Sequence, residues 1–325
     1  MEGNTVREMA ARGMERLRRA GAESPRLDAE LLLAMVLGKD RHFLYMNPHY
    51  RPGGRTEEDY AVLLDRRAGG EPLQYLTGVQ EFMGLRFAVD PSVLIPRPDT
   101  ETLVETVLDR LKGCCGAGVT GQNTAAKGAV AEAAGQGCGG GETFGLGMNS
   151  GTINALDLGT GSGAIAISLA YYCRRLAIKA VDISPGALRI AQKNAARHRV
   201  ADRIEFLGGD LFSPFEGTGQ KFDIIVSNPP YISGEEMRRL PREVLHEPQS
   251  ALYGGSDGLC FYRRIAADAP GFLRKGGLLA VEVGYHQAAE VMDLLDQTGA
   301  YTGMEVVKDL AGRDRVVTVY NVRGE

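Results

Sequence analysis

At 325 residues, 44% of them hydrophobic, the chain is long enough for one large core or two smaller ones, and two domains is the better expectation. A formal net charge of −4 argues against a protein built to wrap nucleic acid, and nowhere is there the run of about 18 apolar residues that a membrane-spanning helix needs. Five cysteines without zinc-like spacing, five scattered histidines and a charged Met1–Ala20 segment without an apolar run fit a metal-free protein of the reducing cytoplasm.

Residues 1–79 read as a small helical domain. The segments "VREMAARGMERLRRA" from Val6, "SPRLDAELLLAMVLG" with Ser24 placed to cap and Pro25 at its first turn, and "TEEDYAVLLDRRAGG" closed by Gly69 and Gly70 are helical. The first 80 residues hold 12 Lys and Arg against 12 Asp and Glu, so no basic footprint emerges. A supportive bundle and a partner-docking surface both stay open for this region.

Residues 80–98 alternate apolar and polar positions on both sides of Gly84, which predicts a β-hairpin connector. The helix "DTETLVETVLDRLKG" follows, with Asp99 or Thr100 as its cap. Between residues 113 and 151 the composition collapses: 13 of the 43 glycines sit there with hardly any bulky apolar residue. Such a segment cannot offset its ordering entropy by burial, and a mobile insertion is expected. Its glycines follow no strand and precede no helix, which argues against a phosphate loop.

From Thr152 strands alternate with helices, the pattern of an α/β, doubly wound, mostly parallel sheet over a domain spanning 99–325. "ALDLGTGSGAIAISLA" is a strand, a glycine turn and a helix. Gly159, Gly161 and Gly163 let the backbone turn tightly and approach a ligand, while the helix from about Ala164 points its N–H groups at it. Such a turn alone is weak evidence, because nicotinamide, flavin and methyl-donor enzymes share it. The G-x-G-x-G spacing lacks the further glycine of the dinucleotide fingerprint. Asp182 ends the next strand, 19 residues beyond Gly163, where a carboxylate can accept both hydroxyls of a ribose. A capping role for Asp182 is the alternative, but Ser184 and Pro185 already serve that purpose. The third strand ends at Asp210 and Leu211, where a carboxylate can take an adenine amino group and an apolar side chain can pack on the ring; an ordinary turn competes for Asp210.

The fourth strand delivers "SNPPY" to the same edge. Pro229 and Pro230 have no N–H to donate, so the backbone carbonyls there are left to accept, beside the side-chain carbonyl of Asn228. Together they can grip a planar –NH₂ group, with Tyr231 against its plane. Delocalisation makes such a nitrogen a poor nucleophile, and hydrogen bonds accepted from its hydrogens favour the charge that develops on attack.

"DLGTGSG", "AVD" and "NPPY" in this order resemble the class I S-adenosylmethionine-dependent methyltransferases that act on planar amino groups. With "YLTGVQEFMGLRF", "LIPRPDTE", "EPQSALYGGSDGL" and "RDRVVTVY" added, nearly the whole chain is similar to the PrmC/HemK family, the peptide chain release factor N(5)-glutamine methyltransferases. Only the segment 113–151 departs from it. The resemblance implies a Rossmann-like class I fold and S-adenosyl-L-methionine as cofactor, leaving as S-adenosyl-L-homocysteine, with no metal. It places the methionine end on Gly159, Thr160, Gly161, Ser162 and Gly163, the ribose on Asp182, the adenine beside Asp210 and Leu211, and the methyl group near Asn228. It places the glutamine amide on Asn228, Pro229, Pro230 and Tyr231, and makes "IPRPDTE" the floor, shaped by Arg97 and Thr100. Leu211 stands where some relatives carry an aromatic residue. The acceptor it implies is the glutamine of the Gly-Gly-Gln motif of release factors, met by a monomer in the cytoplasm without direct nucleic-acid or membrane contact. Two other readings are an adenine-N6 methyltransferase, which would need a basic groove, and a non-catalytic nucleoside-binding adaptor, which would not need an intact Asn228–Tyr231.

Overall fold

The computed structural model describes residues 3–111 and 151–323; the expected glycine-rich insertion lies, apart from Gly151, outside the described residues. Five helices come first: α1 (Val6–Arg19), α2 (Pro25–Val36), α3 (Arg41–Met46), α4 (Gly54–Ala68) and α5 (Leu73–Thr77). Thr5 and Glu8 close α1 with a reciprocal capping box, satisfying two orphan donors at once. Ser24 makes no side-chain cap, contrary to expectation. Its backbone (φ −124°, ψ 60°) leaves the extended conformation that aims a capping hydroxyl at the first turn. The helices share a core of their own, built on Leu17, Leu32, Leu33, Tyr60 and Leu64, and the Tyr60 hydroxyl donates to the Ala29 carbonyl at 3.0 Å. The short α3 and α5 escape the sequence pattern because six and five residues are too few to show a helical period.

Strands β1 (Val79–Phe82) and β2 (Leu85–Ala88) form the predicted hairpin, turning on Met83 (φ 52°) and Gly84 (φ 70°), two consecutive left-handed residues of the kind a two-residue loop requires. Phe82 and Phe87 bury themselves in the main core. Residues 89–98 then run without regular structure into a short 3₁₀ turn over Pro98–Thr100, and α6 follows at Glu101–Leu111.

The remaining elements are β3 (Ile153–Leu158), α7 (Ala164–Tyr172), β4 (Leu176–Asp182), α8 (Pro185–Arg197), β5 (Ile204–Gly208), β6 (Phe222–Ser227), α9 (Cys260–Asp268), β7 (Leu273–Glu282), α10 (Ala288–Asp296), β8 (Tyr301–Lys308) and β9 (Asp314–Asn321). They build a seven-stranded sheet in the order β5-β4-β3-β6-β7-β9-β8, with β9 antiparallel to both β7 and β8 and the other pairs parallel. The doubly wound, mostly parallel α/β fold expected from the sequence is therefore present. Helices α6, α7 and α8 pack on one face and α9 and α10 on the other. Period-two alternation sorts the side chains: on β7, Leu278 and Ala280 enter the first core while Leu279 and Val281 enter the second. The chain reverses direction across the sheet between β3 and β6, which opens a crevice at their carboxyl ends.

Two sets of bonds seat the connector and the helices above that crevice. Asn194 of α8, fully buried, accepts from the Ala88 N–H at 2.7 Å and donates to the carbonyls of Ala88 at 3.0 Å and Ser162 at 2.9 Å. Arg67 of α4 donates to Asp28 at 2.8 Å and to Glu243 at 2.6 Å, and the Tyr75 hydroxyl donates to the Val93 carbonyl at 2.6 Å.

Candidate active site

The crevice is a cavity of about 860 Å³, the size class that takes a drug-sized ligand. Its walls carry Gly159, Gly161, Asp182, Asp210, Leu211, Asn228, Pro229 and Pro230, so eight of the sequence-predicted residues meet in one place. Thr160, Ser162, Gly163 and Tyr231 do not line it.

The glycine turn explains itself physically. Gly159 (φ 73°) and Gly161 (φ 55°) adopt left-handed backbone that other residues enter only under strain, and nothing lies within 4 Å of where a side chain would begin. That empty space faces the cavity. Gly163 serves packing instead: a Cβ there would stand 2.7 Å from Ile167 and 3.1 Å from Ala191, so its absence lets α7 and α8 close together. Thr160 turns inward and donates to the buried Asp157 carboxyl at 2.7 Å. Burial pushes Asp157 up to about 7, against the opposing bonds from Thr160 and the Ala166 N–H.

Asp182 accepts from the Gly161 N–H and the Ser184 N–H, each at 2.8 Å, so it ties the end of β4 to the glycine turn. Burial raises its pKa, opposed by those two N–H groups. Ser184 caps α8 by accepting from Ala187 at 3.2 Å, as expected, which leaves Asp182 facing the cavity. Leu211 reaches the wall on a left-handed backbone (φ 49°). Asp210 is half exposed and shares its carboxylate with Arg264 at 2.8 Å.

At the end of the neighbouring strand β6, the Asn228 side-chain nitrogen donates to the Thr100 hydroxyl at 3.1 Å. No described residue donates to the Asn228 side-chain oxygen or to the Pro229 carbonyl. The Tyr231 carbonyl, by contrast, is taken by Gln287 at 3.1 Å. The Tyr231 ring packs into the second core rather than onto the cavity wall. Burial, reinforced by the nearby Glu282 carboxylate, pushes its hydroxyl up to about 12.

The prolines are held from behind by glycines of the 252–258 segment. A Cβ at Gly254 would stand 2.6 Å from the Pro230 carbonyl, and one at Gly258 2.4 Å from the Tyr231 carbonyl, so only glycine permits this approach. Across the same contact the Ile232 N–H donates to the Leu252 carbonyl and the Gly254 N–H to the Ile232 carbonyl, each at 2.9 Å.

Several cavity residues were not singled out from the sequence. Ser92, Val93 and Leu94 come from the connector, Met237, Arg238, Leu245 and Tyr253 from the loop after β6, and Phe261 from α9. The connector and the loop are joined beside the cavity, where the buried Glu247 accepts from the Ile95 N–H at 3.0 Å and pairs with Arg97. The motif "EPQSALYGG" held the only signal for this, a carboxylate and a proline in an otherwise patternless stretch.

Comparison with known proteins agrees with this geometry. Residues 8–78 match the model of the PrmC N-terminal domain, and residues 146–259 that of the methyltransferase small domain. The chain is 42% identical to a release factor glutamine methyltransferase of Moorella thermoacetica, over 97% of this chain and 98% of that one. It is 41% identical to the release factor glutamine methyltransferase of Geobacter sulfurreducens, over 91% and 90% of the two chains. Among solved structures, the hMettl16 catalytic domain in complex with MAT2A 3'UTR hairpin 6 superposes with a TM-score of 0.53 at 15% identity, covering 80% of this chain and 83% of that one. At that identity the likeness concerns the fold alone.

Proposed function

The chain belongs to the release factor glutamine methyltransferases, and from that premise we propose that it transfers a methyl group from S-adenosyl-L-methionine to the side-chain nitrogen of the glutamine in the Gly-Gly-Gln motif of peptide chain release factors. The observation that carries this reading is a pair of cavity-lining acceptors to which no described residue donates, the Asn228 side-chain oxygen and the Pro229 carbonyl, at the strand end next to the glycine turn.

The residues present fit the donor. The open space at Gly159 and Gly161 would admit its methionine end against bare backbone, Asp182 would accept from its ribose, and Leu211 with Asp210 would border its adenine. When bound, it supplies an electrophilic methyl on a positively charged sulfur. Asn228 and Pro229 accept from the two hydrogens of the glutamine amide and fix its plane. As the nitrogen is alkylated it becomes positive, and the same two acceptors stabilise that charge before a proton departs to water. Among the described residues the cavity wall carries two basic side chains, Arg238 and Arg264, and Arg264 is already paired with Asp210. A neutral amide suits such a wall better than a polynucleotide does.

The domain limits at 79 and 98, a monomeric state and a cytoplasmic location belong to the same proposal. Among the described residues no helix is long and apolar enough to cross a membrane. The helical region is the surface available for choosing one glutamine among many, since the Asn228 clamp can grip any primary amide. Incubation of release factor with labelled donor should add one methyl to the glutamine side-chain nitrogen, seen by mass spectrometry of the Gly-Gly-Gln peptide. Label on adenine, or on glutamines of arbitrary proteins at equal rates, would overturn the substrate assignment.

A further inference from the structure

A hydrogen-bond donor turned toward the substrate would be as harmful as a missing acceptor, because the group to be gripped is itself an –NH₂. The Asn228 amide has one face of each kind, and its two orientations have nearly the same shape. Something has to choose between them. The Thr100 hydroxyl, which meets the Asn228 nitrogen, cannot do so alone, since a hydroxyl both donates and accepts.

Thr100 has a second neighbour that removes this freedom. Glu282 is the last residue of β7, one position beyond the Ser227–Val281 pair that sets β6 against β7, and so it lies beside Asn228. It follows Leu278 and Ala280 on the face covered by α6, where Thr100 leads into that helix. Glu282 is 1% exposed, one of its carboxyl oxygens has no partner among the described residues, and the Thr100 side chain lies near enough to hold its pKa down.

We propose that Glu282 is a positioning residue which, acting through Thr100, fixes the Asn228 amide with its oxygen toward the substrate. An ionised carboxylate only accepts, so the single Thr100 hydrogen is committed to Glu282. Thr100 can then offer Asn228 nothing but lone pairs, and the amide has to present its N–H to Thr100 and its oxygen to the cavity. A protonated Glu282 can donate to Thr100 instead, which frees the Thr100 hydrogen for the Asn228 oxygen and reverses the amide. The proposal rests on the assignment of Asn228 as the amide clamp.

The surroundings place this switch in an observable range. Burial pushes Glu282 up to about 7, opposed by Thr100, Arg315 and Arg97, and assisted by Asp99. Tyr231 and Tyr262 also face it, both held neutral by burial. Arg315 is shared with Asp99 at 3.0 Å and Asp309 at 3.4 Å, so its charge is only partly directed at Glu282.

The test compares Glu282→Gln, Thr100→Val and the double variant with the wild type, measuring kcat and KM on release factor across pH 5.5–9. Wild-type kcat should fall as pH drops through Glu282's titration. Glu282→Gln should lose about tenfold in kcat, less than deletion of an acceptor would cost, and should lose the acid limb. The double variant should be no worse than Thr100→Val. An unchanged acid limb in Glu282→Gln, or losses that simply multiply, would overturn the relay while leaving the methyl transfer itself standing. A readout without turnover keeps the two apart: in ¹⁵N-labelled wild type, the Asn228 side-chain signal, identified by its loss in Asn228→Ala, should titrate with Glu282. It should be flat in Thr100→Val. A signal that is flat in the wild type refutes the relay whatever the substrate proves to be.

Discussion

On the donor wall, Gly159, Gly161 and Asp182 stand where the chain leaves β3 and β4, and the bonds that hold them run to Ser184 and to one another. On the acceptor wall, Asn228 is held by Thr100, 128 residues earlier, and the Tyr231 carbonyl by Gln287, 56 residues later. One wall is set by local backbone geometry, the other by side chains that the fold brings in from elsewhere. A wall of the first kind can form as soon as its strands pair. One of the second kind exists only when α6, β7, α10 and the 252–258 glycines are all in place. The contrast suits the chemistry: donor binding needs a shaped surface, whereas amide alkylation needs acceptors of defined polarity.

The strongest way to separate the two walls is Asn228→Ala. It removes one of the two acceptors and should cost about a hundredfold or more in kcat, with donor affinity by calorimetry nearly unchanged. A variant that kept most of its turnover would show that the Pro229 carbonyl alone suffices. Asp182→Ala is the converse. Loss of charge-assisted bonds should weaken donor binding by about 1.5–3 kcal/mol while kcat at saturating donor falls much less. Unchanged donor affinity would remove Asp182 from the binding surface.

A third experiment sharpens the comparison by stability. Each wall hides one carboxyl raised to about 7, Asp157 beneath the glycine turn and Glu282 beneath Asn228. In the unfolded chain these groups release their protons near pH 4, whereas in the folded protein they keep them. The folded state therefore binds more protons between those limits, and its stability falls as pH rises through about 7. Tm should drop by at least about 2 °C between pH 5.5 and 8.5, and Asp157→Asn should flatten part of that slope. A Tm that rises over this range would mean that other groups dominate the proton balance. The smallest effect is expected from Arg264→Ala. Its pair with Asp210 is 41% and 48% exposed, which limits its worth to about 1 kcal/mol or less. A larger loss of stability would give this rim pair a structural role.

The difference between the walls also decides what could be read from the sequence. The glycine turn, Asp182 and the Asn-Pro-Pro run announce themselves because their chemistry lies in consecutive residues or at fixed distance from a strand end. The sheet was legible for the same reason, through its alternation of strands and helices. Thr100 was placed at the site floor only through the family resemblance, and Glu282 and Gln287 carry no such mark: an isolated Glu at the end of an apolar strand acquires meaning only when β7 pairs beside β6. Tyr231, expected from its place in the motif to lie against the substrate, packs its ring against the second core, a contact that the motif does not encode. The cap expected at Ser24 failed on backbone angles that composition does not encode.

Asn194 has a consequence for how such a protein can be recombined. All three of its bonds go to main-chain atoms, of Ala88 and of Ser162, and none depends on what side chain either residue carries. At these three bonds the joint between the hairpin and the sheet is indifferent to the side chains delivered to it, so that what the hairpin must supply is the same backbone position and the apolar residues, Phe82 and Phe87, that fill the core. A relative's first 88 residues could be grafted here, carrying a different set of outward-facing helices over an unaltered reaction centre. Recognition and catalysis would then be free to diverge at separate rates, with the buried amide among the contacts that keep the two in alignment.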